Sequence, residues 1–220
     1  MPEAGDFARE FVLDRPMLER ARLSQANTML DIGCGDGRFC RLAKELPLKA
    51  TGIDPVEPFI QHAQKIDPDG HYLAGFAEAL PFEDAQFDLA VFYLSLIDIA
   101  DMGTAIQEAE RVIRPGGTIL IANLASFFTS NGTTGWVKDN DGSDHYPLGT
   151  YLEEKGNWCE WDGLRIRNWH RPLSTYMSAL LNAGLTLTYF DEPQPSGGPE
   201  GLVKRYYQTP FTMMMEWRKP

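Results

Sequence analysis

The feature that most constrains this chain is a glycine-dense turn, Gly33-Cys34-Gly35-Asp36-Gly37. It follows a short apolar run that starts after Asn27, TMLDI, and precedes a helical pattern, RFCRLAKEL. Glycines at alternate positions let backbone approach a ligand without Cβ obstruction, and a turn that opens a helix delivers that ligand to the positive end of the helix dipole. A carboxylate or phosphate suits such a place. A dinucleotide site would prefer GxGxxG, whereas the spacing here is GxGxG with Asp31 just ahead of it, which favours a different cofactor. Asp54 closes the next apolar run, GID, at the end of a strand where doubly wound sheets bind ligands, and its carboxylate can accept hydrogen bonds from ribose hydroxyls. An adenosine is implied.

The rest of the first half repeats this rhythm. LKATGID reads as a strand, PFIQHAQKI as a helix, HYLAGF as a short strand, FDLAVFYLSLI as a buried strand, TAIQEAERVIR as a helix stopped by Pro115-Gly116-Gly117, and TILIANL as another strand. Strands alternating with helices predict a parallel sheet covered on both faces. Ahead of the sheet, DFAREFVLDRPMLERARL has helical spacing around Pro16, which should break it into two helices. Residues 126–169 change character, gathering Gly, Asn, Asp and four tryptophans, Trp136, Trp158, Trp161 and Trp169, and read as an insertion. YLEEKGNWCEW and LRIRNWH within it flank Asp162-Gly163, a dipeptide suited to a tight hairpin turn. RPLSTYMSALLNAGL then gives a helix ending at Gly184, LTLTYFDEP a strand, Gln194 to Gly201 a Pro/Gly loop, and TPFTMMMEWRKP a last strand.

At 220 residues the chain suffices for a single domain, burying roughly 70% of its unfolded surface. The expectation is one domain over residues 1–220 with the insertion as a lid. A net charge of −11 would repel a phosphate backbone, so nucleic acid is not an expected partner. Cys34, Cys40 and Cys159 fit neither a disulfide framework nor a metal site, and point to a reducing cytoplasm. The start, MPEAGDFARE, does not read as a signal peptide, and the longest apolar stretch, Leu89 to Ile97, is too short to span a bilayer.

MLDIGCGDGRF, GIDP, GFAEALPFEDAQFDLAVFYLSLI and IRPGGTILIAN, in that order, resemble the successive motifs of class I S-adenosylmethionine-dependent methyltransferases. The nearest likeness is to the small-molecule branch typified by ubiquinone and menaquinone biosynthesis enzymes, from about residue 7 to the closing YYQTPFTMMMEWRKP. The resemblance implies an α/β, Rossmann-like, doubly wound sheet of seven strands in the order 3-2-1-4-5-7-6, mostly parallel with strand 7 antiparallel and the lid before strand 6. It implies S-adenosylmethionine as cofactor and S-adenosylhomocysteine as product, with no metal. The methyl acceptor would be a small molecule offering oxygen or nitrogen.

Carried over position by position, the resemblance puts Asp31, Gly33 and Gly35 at the methionine end, Asp54 on the ribose diol, and Pro55 and Ala77 beside the adenine. Phe92 and Tyr93 would lie beside the sulfonium. Two positions depart from the family pattern: Phe76 stands where an acidic residue often meets the adenine amino group, and Ile97-Asp98 replaces a frequent His-His pair. Candidate catalytic groups are His170, Asp98 and Tyr93. Duller roles compete: Asp54 or Asp98 as a helix cap, Tyr93 as a core aromatic, His170 in a structural hydrogen bond, His145 as a solvated loop residue, the tryptophans as packing rather than an aromatic-lined cleft. Two other functions stay open, RNA methylation and cofactor binding without catalysis.

Overall fold

The computed structural model describes residues 6–132, 134–161 and 164–220. Its centre is a seven-stranded sheet made of β1 (Thr28–Ile32), β2 (Lys49–Asp54), β3 (His71–Ala74), β4 (Phe87–Tyr93), β5 (Ile113–Leu124), β10 (Thr186–Asp191) and β11 (Thr212–Arg218). The order is β10-β11-β5-β4-β1-β2-β3. β3, β2, β1, β4 and β5 run parallel, and β11 is antiparallel to both its neighbours. With β10 and β11 counted as the sixth and seventh sheet strands, this is the expected order, with the seventh strand antiparallel as expected.

Alternation along each strand divides the interior into two cores. One face carries Leu30, Ile32, Phe92, Ile121 and Met215 against α4 (Met102–Val112) and α6 (Leu173–Asn182). The other carries Met29, Leu89, Val91 and Met214 against α1 (Asp14–Leu23), α2 (Arg38–Leu42) and α3 (Glu57–Ile66). Every central strand is therefore apolar on both faces, which is why FDLAVFY lacks polar alternation.

Several boundaries differ from the sequence reading. Pro16 does not break the leading segment: residues 7–23 form one helix. A π turn, Arg9–Leu13, feeds α1, and the Asp14 N–H bonds the Arg9 carbonyl five residues back. The wider turn moves aside the carbonyls that would meet the proline ring, so the helix absorbs it in its next turn. β4 stops at Tyr93 rather than running to Ile97, because Leu94 adopts φ 59° and closes its N–H onto the Ala122 carbonyl at 2.8 Å. α4 begins at Met102 and ends at Val112; Asp101 caps it through the Thr104 N–H at 3.0 Å, so Asp98 is not a helix cap. Two helices were not anticipated, α5 (Ser126–Ser130) and α7 (Glu200–Gln208). α7 packs Tyr206 on Phe7 and Phe211.

In the insertion, β6 (Val137–Lys138) pairs with β7 (Asp144–His145), and the expected hairpin forms between β8 (Lys155–Trp161) and β9 (Leu164–His170). Its connecting Asp162-Gly163 lies outside the described residues. β9 is fastened to the loop after β4 by the Trp169 N–H on the Ile97 carbonyl at 2.7 Å.

Gly33 shows how tightly the turn after β1 is built. It sits at φ 76°, and a Cβ there would lie 2.4 Å from Cβ of Ser95, whose hydroxyl donates to the Ile32 carbonyl at 2.5 Å. Gly35, at φ 55°, has open space where its Cβ would stand. Gly35→Ala is expected to lose only the left-handed backbone cost of about 1–2 kcal/mol. Gly33→Ala should lose about 1–3 kcal/mol more through overpacking. Urea unfolding of the two variants checks this; equal losses would mean that Ser95 yields freely.

Candidate active site

At the carboxyl ends of β1, β2 and β4 the chain leaves a cavity of about 490 Å³. Its floor is the glycine turn. The N–H groups of Gly33 and Cys34 bond the Ile53 carbonyl at 2.8 and 3.0 Å, and the Gly35 N–H bonds Asp54 Oδ2 at 2.9 Å. Asp54 Oδ1 accepts the Val56 N–H at 2.8 Å. The first residue before α3 is Val56, so Asp54 does not cap that helix by the usual route. Each of its oxygens takes one amide and retains a lone pair for a further donor.

Asp31, Gly33, Gly35, Asp54 and Pro55 line the cavity, as do Phe76, Ala77, Tyr93 and Asp98. Two predicted residues do not. Phe92 is fully buried in the core against α4 and α6, because neighbours on a strand point to opposite faces and Tyr93 takes the cavity side. His170 is 1% exposed and outside the cavity. Its Nδ1 meets Thr129 Oγ1 at 2.7 Å and its Nε2 meets the Tyr151 carbonyl at 2.9 Å, so both ring nitrogens serve the packing of the insertion. Burial holds its pKa below the usual value.

Three of the four insertion tryptophans also fall elsewhere, and the side chain of Trp161 lies outside what the structure describes. Trp158 lies under Arg165, Trp169 has the guanidinium groups of Arg167 and Arg171 near its ring, and Trp136 packs against Tyr146 and Arg205. None of these three lines the cavity, whose wall on the insertion side includes Ile166 and Arg167 of β9. His145 pairs with Asp139 at 3.0 Å within its loop.

Electrostatics separate the acidic groups. Asp31 is fully buried; Oδ2 accepts the Cys40 thiol at 3.6 Å and Oδ1 has no partner among the described residues. Burial first, with Asp54 adding negative charge, pushes its pKa up to about 7. Burial also raises Asp54. Asp98 is an exposed residue on the cavity wall; the surrounding protein desolvates it and pushes its pKa up to about 6, against the hydrogen bond that Asn168 Nδ2 donates to Oδ1 at 2.5 Å. Tyr93 donates its hydroxyl to Asp14 Oδ1 at 2.5 Å, and burial drives its pKa far up, so it is a proton donor and not a base.

Sequence reasoning missed Asp14, Arg38, Arg9 and Asn168. Arg38 grips Asp14 with both terminal nitrogens at 2.8 and 2.5 Å, and this pairing raises its pKa. Arg38 follows the glycine turn and could have been flagged from that position. The other three come from the leading helix and the hairpin, where the sequence carries no motif. Arg171, buried at the end of the hairpin, donates to the carbonyls of Leu96, Ile99 and Ala100 at 3.1, 2.6 and 3.0 Å, and so fixes the loop that holds Asp98.

An adenosyl sulfonium amino acid fits these residues. An unpartnered buried carboxylate oxygen on Asp31, the open cradle at Gly35 and the spare lone pairs of Asp54 match an ammonium, a backbone-hugging chain and a ribose diol. Among the described residues no group of three or more His, Cys, Asp and Glu side chains could hold a metal ion.

Comparison with known proteins agrees with this geometry. Residues 30–121 match the family described as a methyltransferase domain. A malonyl-[acyl-carrier protein] O-methyltransferase from Pseudescherichia vulneris is 38% identical over 99 residues, 45% of this chain and 39% of that protein. The O-methyltransferase resE from Aspergillus sclerotiorum is 38% identical over 113 residues, 47% of this chain and 43% of that protein. This chain thus spans less than half the length of these curated relatives. The crystal structure of an S-adenosylmethionine dependent methyltransferase from Mesorhizobium loti superposes with a TM-score of 0.81 at 22% identity, covering 99% of this chain and 100% of that one.

Because Asp31 is protonated more readily folded than unfolded, it adds stability at low pH that is lost as pH rises from the ordinary carboxylate range through about 7. Asp31→Asn should raise the melting temperature of the ligand-free chain at pH 8 and change it far less at pH 5. A melting curve shifted equally at both pH values would show that Asp31 titrates normally.

Proposed function

We propose that this chain, which carries a class I S-adenosylmethionine-dependent methyltransferase domain over residues 30–121, transfers a methyl group to an oxygen of a small metabolite. The observation that carries the reading is the cradle itself: a glycine turn stitched to the end of β2 and to Asp54, inside the matched segment. S-adenosylmethionine, when bound, supplies a methyl group activated by its sulfonium. The chain's own work is positioning: Asp31 toward the ammonium, Asp54 toward the ribose, Pro55, Phe76 and Ala77 about the adenine, and Tyr93 at the reacting end. Holding a nucleophile about 3–3.5 Å from the methyl carbon, in line, supplies up to about 7–11 kcal/mol in favourable cases.

Oxygen is favoured by the chemistry of the walls. Among the described residues that line the cavity there is no histidine or lysine, and the Tyr93 hydroxyl is given to Asp14. Of the carboxylates that line the cavity, Asp98 is the one we assign as base, worth about 10²–10⁴-fold, and an oxygen that ionises readily asks least of it. The O-methyltransferase relatives support the same choice. We assign His170 a structural role, because both ring nitrogens are engaged outside the cavity. Residues 126–169 serve as a cover that excludes water, with Ile166 and Arg167 as the wall they contribute. An RNA acceptor is disfavoured by the net charge of −11.

Asp54→Ala should weaken binding of S-adenosylhomocysteine by about 1–3 kcal/mol, through ribose hydroxyls left without acceptors. Calorimetry on the folded variant decides it, and unchanged affinity would remove Asp54 from the site. His170→Ala should lower thermal stability while leaving the pH profile of methyl transfer in place; a profile that loses its acid limb would return His170 to the mechanism.

A further inference from the structure

Between β4 and α4 the chain passes through residues 94–101 without helix or strand. The start of this loop is fixed by the Leu94 N–H on the Ala122 carbonyl and by the Ser95 hydroxyl on the Ile32 carbonyl, and its finish by Asp101, which caps α4. The stretch between carries Asp98 on the cavity wall, together with three carbonyls, those of Leu96, Ile99 and Ala100, that among the described residues no backbone N–H takes. Arg171 takes all three, with Nη1 at 3.1 Å and Nη2 at 2.6 and 3.0 Å. It is 3% exposed, and Glu154 stands 3.9 Å from its Nε. A guanidinium is costly to bury, and an apolar side chain of similar volume would fill the same place without that cost. What the guanidinium adds is a planar fork that reaches the backbone on both sides of Asp98 at once.

We propose that Arg171 is a positioning residue for the base: it grips the backbone on either side of Asp98 and so keeps the carboxylate on the cavity wall where Asn168 meets it. This rests on the reading of Asp98 as the base of methyl transfer. Asn168 and Arg171 divide the work. Asn168 Nδ2 touches the carboxylate and favours its charged form, whereas the bonds of Arg171 go to the loop carbonyls and act through the backbone. The other charges felt by Asp98 are those of Asp54 and Arg9. With the loop in place, desolvation outweighs Asn168 and holds the carboxyl near 6. Loosening the loop would let water reach the carboxylate and bring that value down, while removing the Asn168 donor would send it up. His170, although next to Arg171 in the chain, turns to Thr129 and Tyr151, so the grip on the loop does not pass through it.

The test follows Asp98 by NMR in the full chain made with carboxyl-labelled aspartate, with Asp98→Asn assigning its resonance and a cooperative melting transition reporting that each variant folds. The wild-type carboxyl should titrate near 6. Arg171→Met, which keeps the length and loses the donors, should bring the midpoint down toward the ordinary carboxylate value of about 4. Arg171→Lys should fall between the two, and Asn168→Leu should move the midpoint the opposite way, upward. His170→Ala controls for lost stability: it should lower the melting temperature and leave the midpoint in place. Amide exchange at Asp98, whose N–H bonds the Ser95 carbonyl at 2.9 Å, should quicken in Arg171→Met. A wild-type carboxyl that already titrates near the ordinary value, an Arg171→Met midpoint equal to that of the wild type, or a His170→Ala midpoint displaced as far as that of Arg171→Met would overturn the proposal. If Arg171→Met does not melt cooperatively, Arg171→Lys decides by the same comparison. Failure of the wild type to bind S-adenosylhomocysteine in calorimetry would sink the methyl-transfer reading instead, and the Asp98 titration would still judge Arg171.

Discussion

Everything at the site depends on the seam between the glycine turn and the end of β2. The N–H groups of residues 33, 34 and 35 are all spent on that strand, two on the Ile53 carbonyl and one on Asp54. The parallel pairing of β1 with β2 sets the two strand ends side by side, from Thr28 opposite Lys49 to Ile32 opposite Ile53. One register therefore fixes the turn, the orientation of Asp54 and the depth of the cavity together. A slip by one residue would exchange the faces of the strand and point Asp54 into the core.

The acceptor side is built on the opposite logic, from long-range contacts rather than one local seam. β9 reaches the loop after β4 by Asn168 on Asp98 and Trp169 on Ile97, and Arg171 adds three further bonds to the same loop. The leading helix supplies Asp14 to Tyr93 and Arg38. Desolvation by these segments raises the pKa of Asp98, and the hydrogen bond from Asn168 works against that rise while holding the carboxylate in place.

This contrast explains what could be read in advance. The alternation of strands and helices was legible in periodicity, the strand order came with the family resemblance, and the glycine turn and Asp54, which line the cavity, were legible because turn chemistry and strand ends are written in a few adjacent positions. Phe92 and Tyr93 could not be told apart, since only the register of β4 in the sheet says which of two neighbours faces the cavity. His170 looked catalytic in a polar, aromatic segment, yet its surroundings are Thr129 and Tyr151, set by how the insertion folds back. Pro16 looked like a break because propensity alone cannot foresee a π turn just ahead of it. Arg9 and Asn168 carry no local signature; tertiary packing gives them their place.

The antiparallel β11 has a consequence for how the molecule is made. Among the described residues β10 pairs with no sheet strand but β11, from Thr186 opposite Arg218 to Asp191 opposite Met214. On the ribosome β10 emerges first and must wait, unpaired, until some twenty further residues have followed and β11 can slot in beside β5. Until then the flank of β5 lies bare, and sticky enough to recruit the wrong strand from a neighbouring nascent chain.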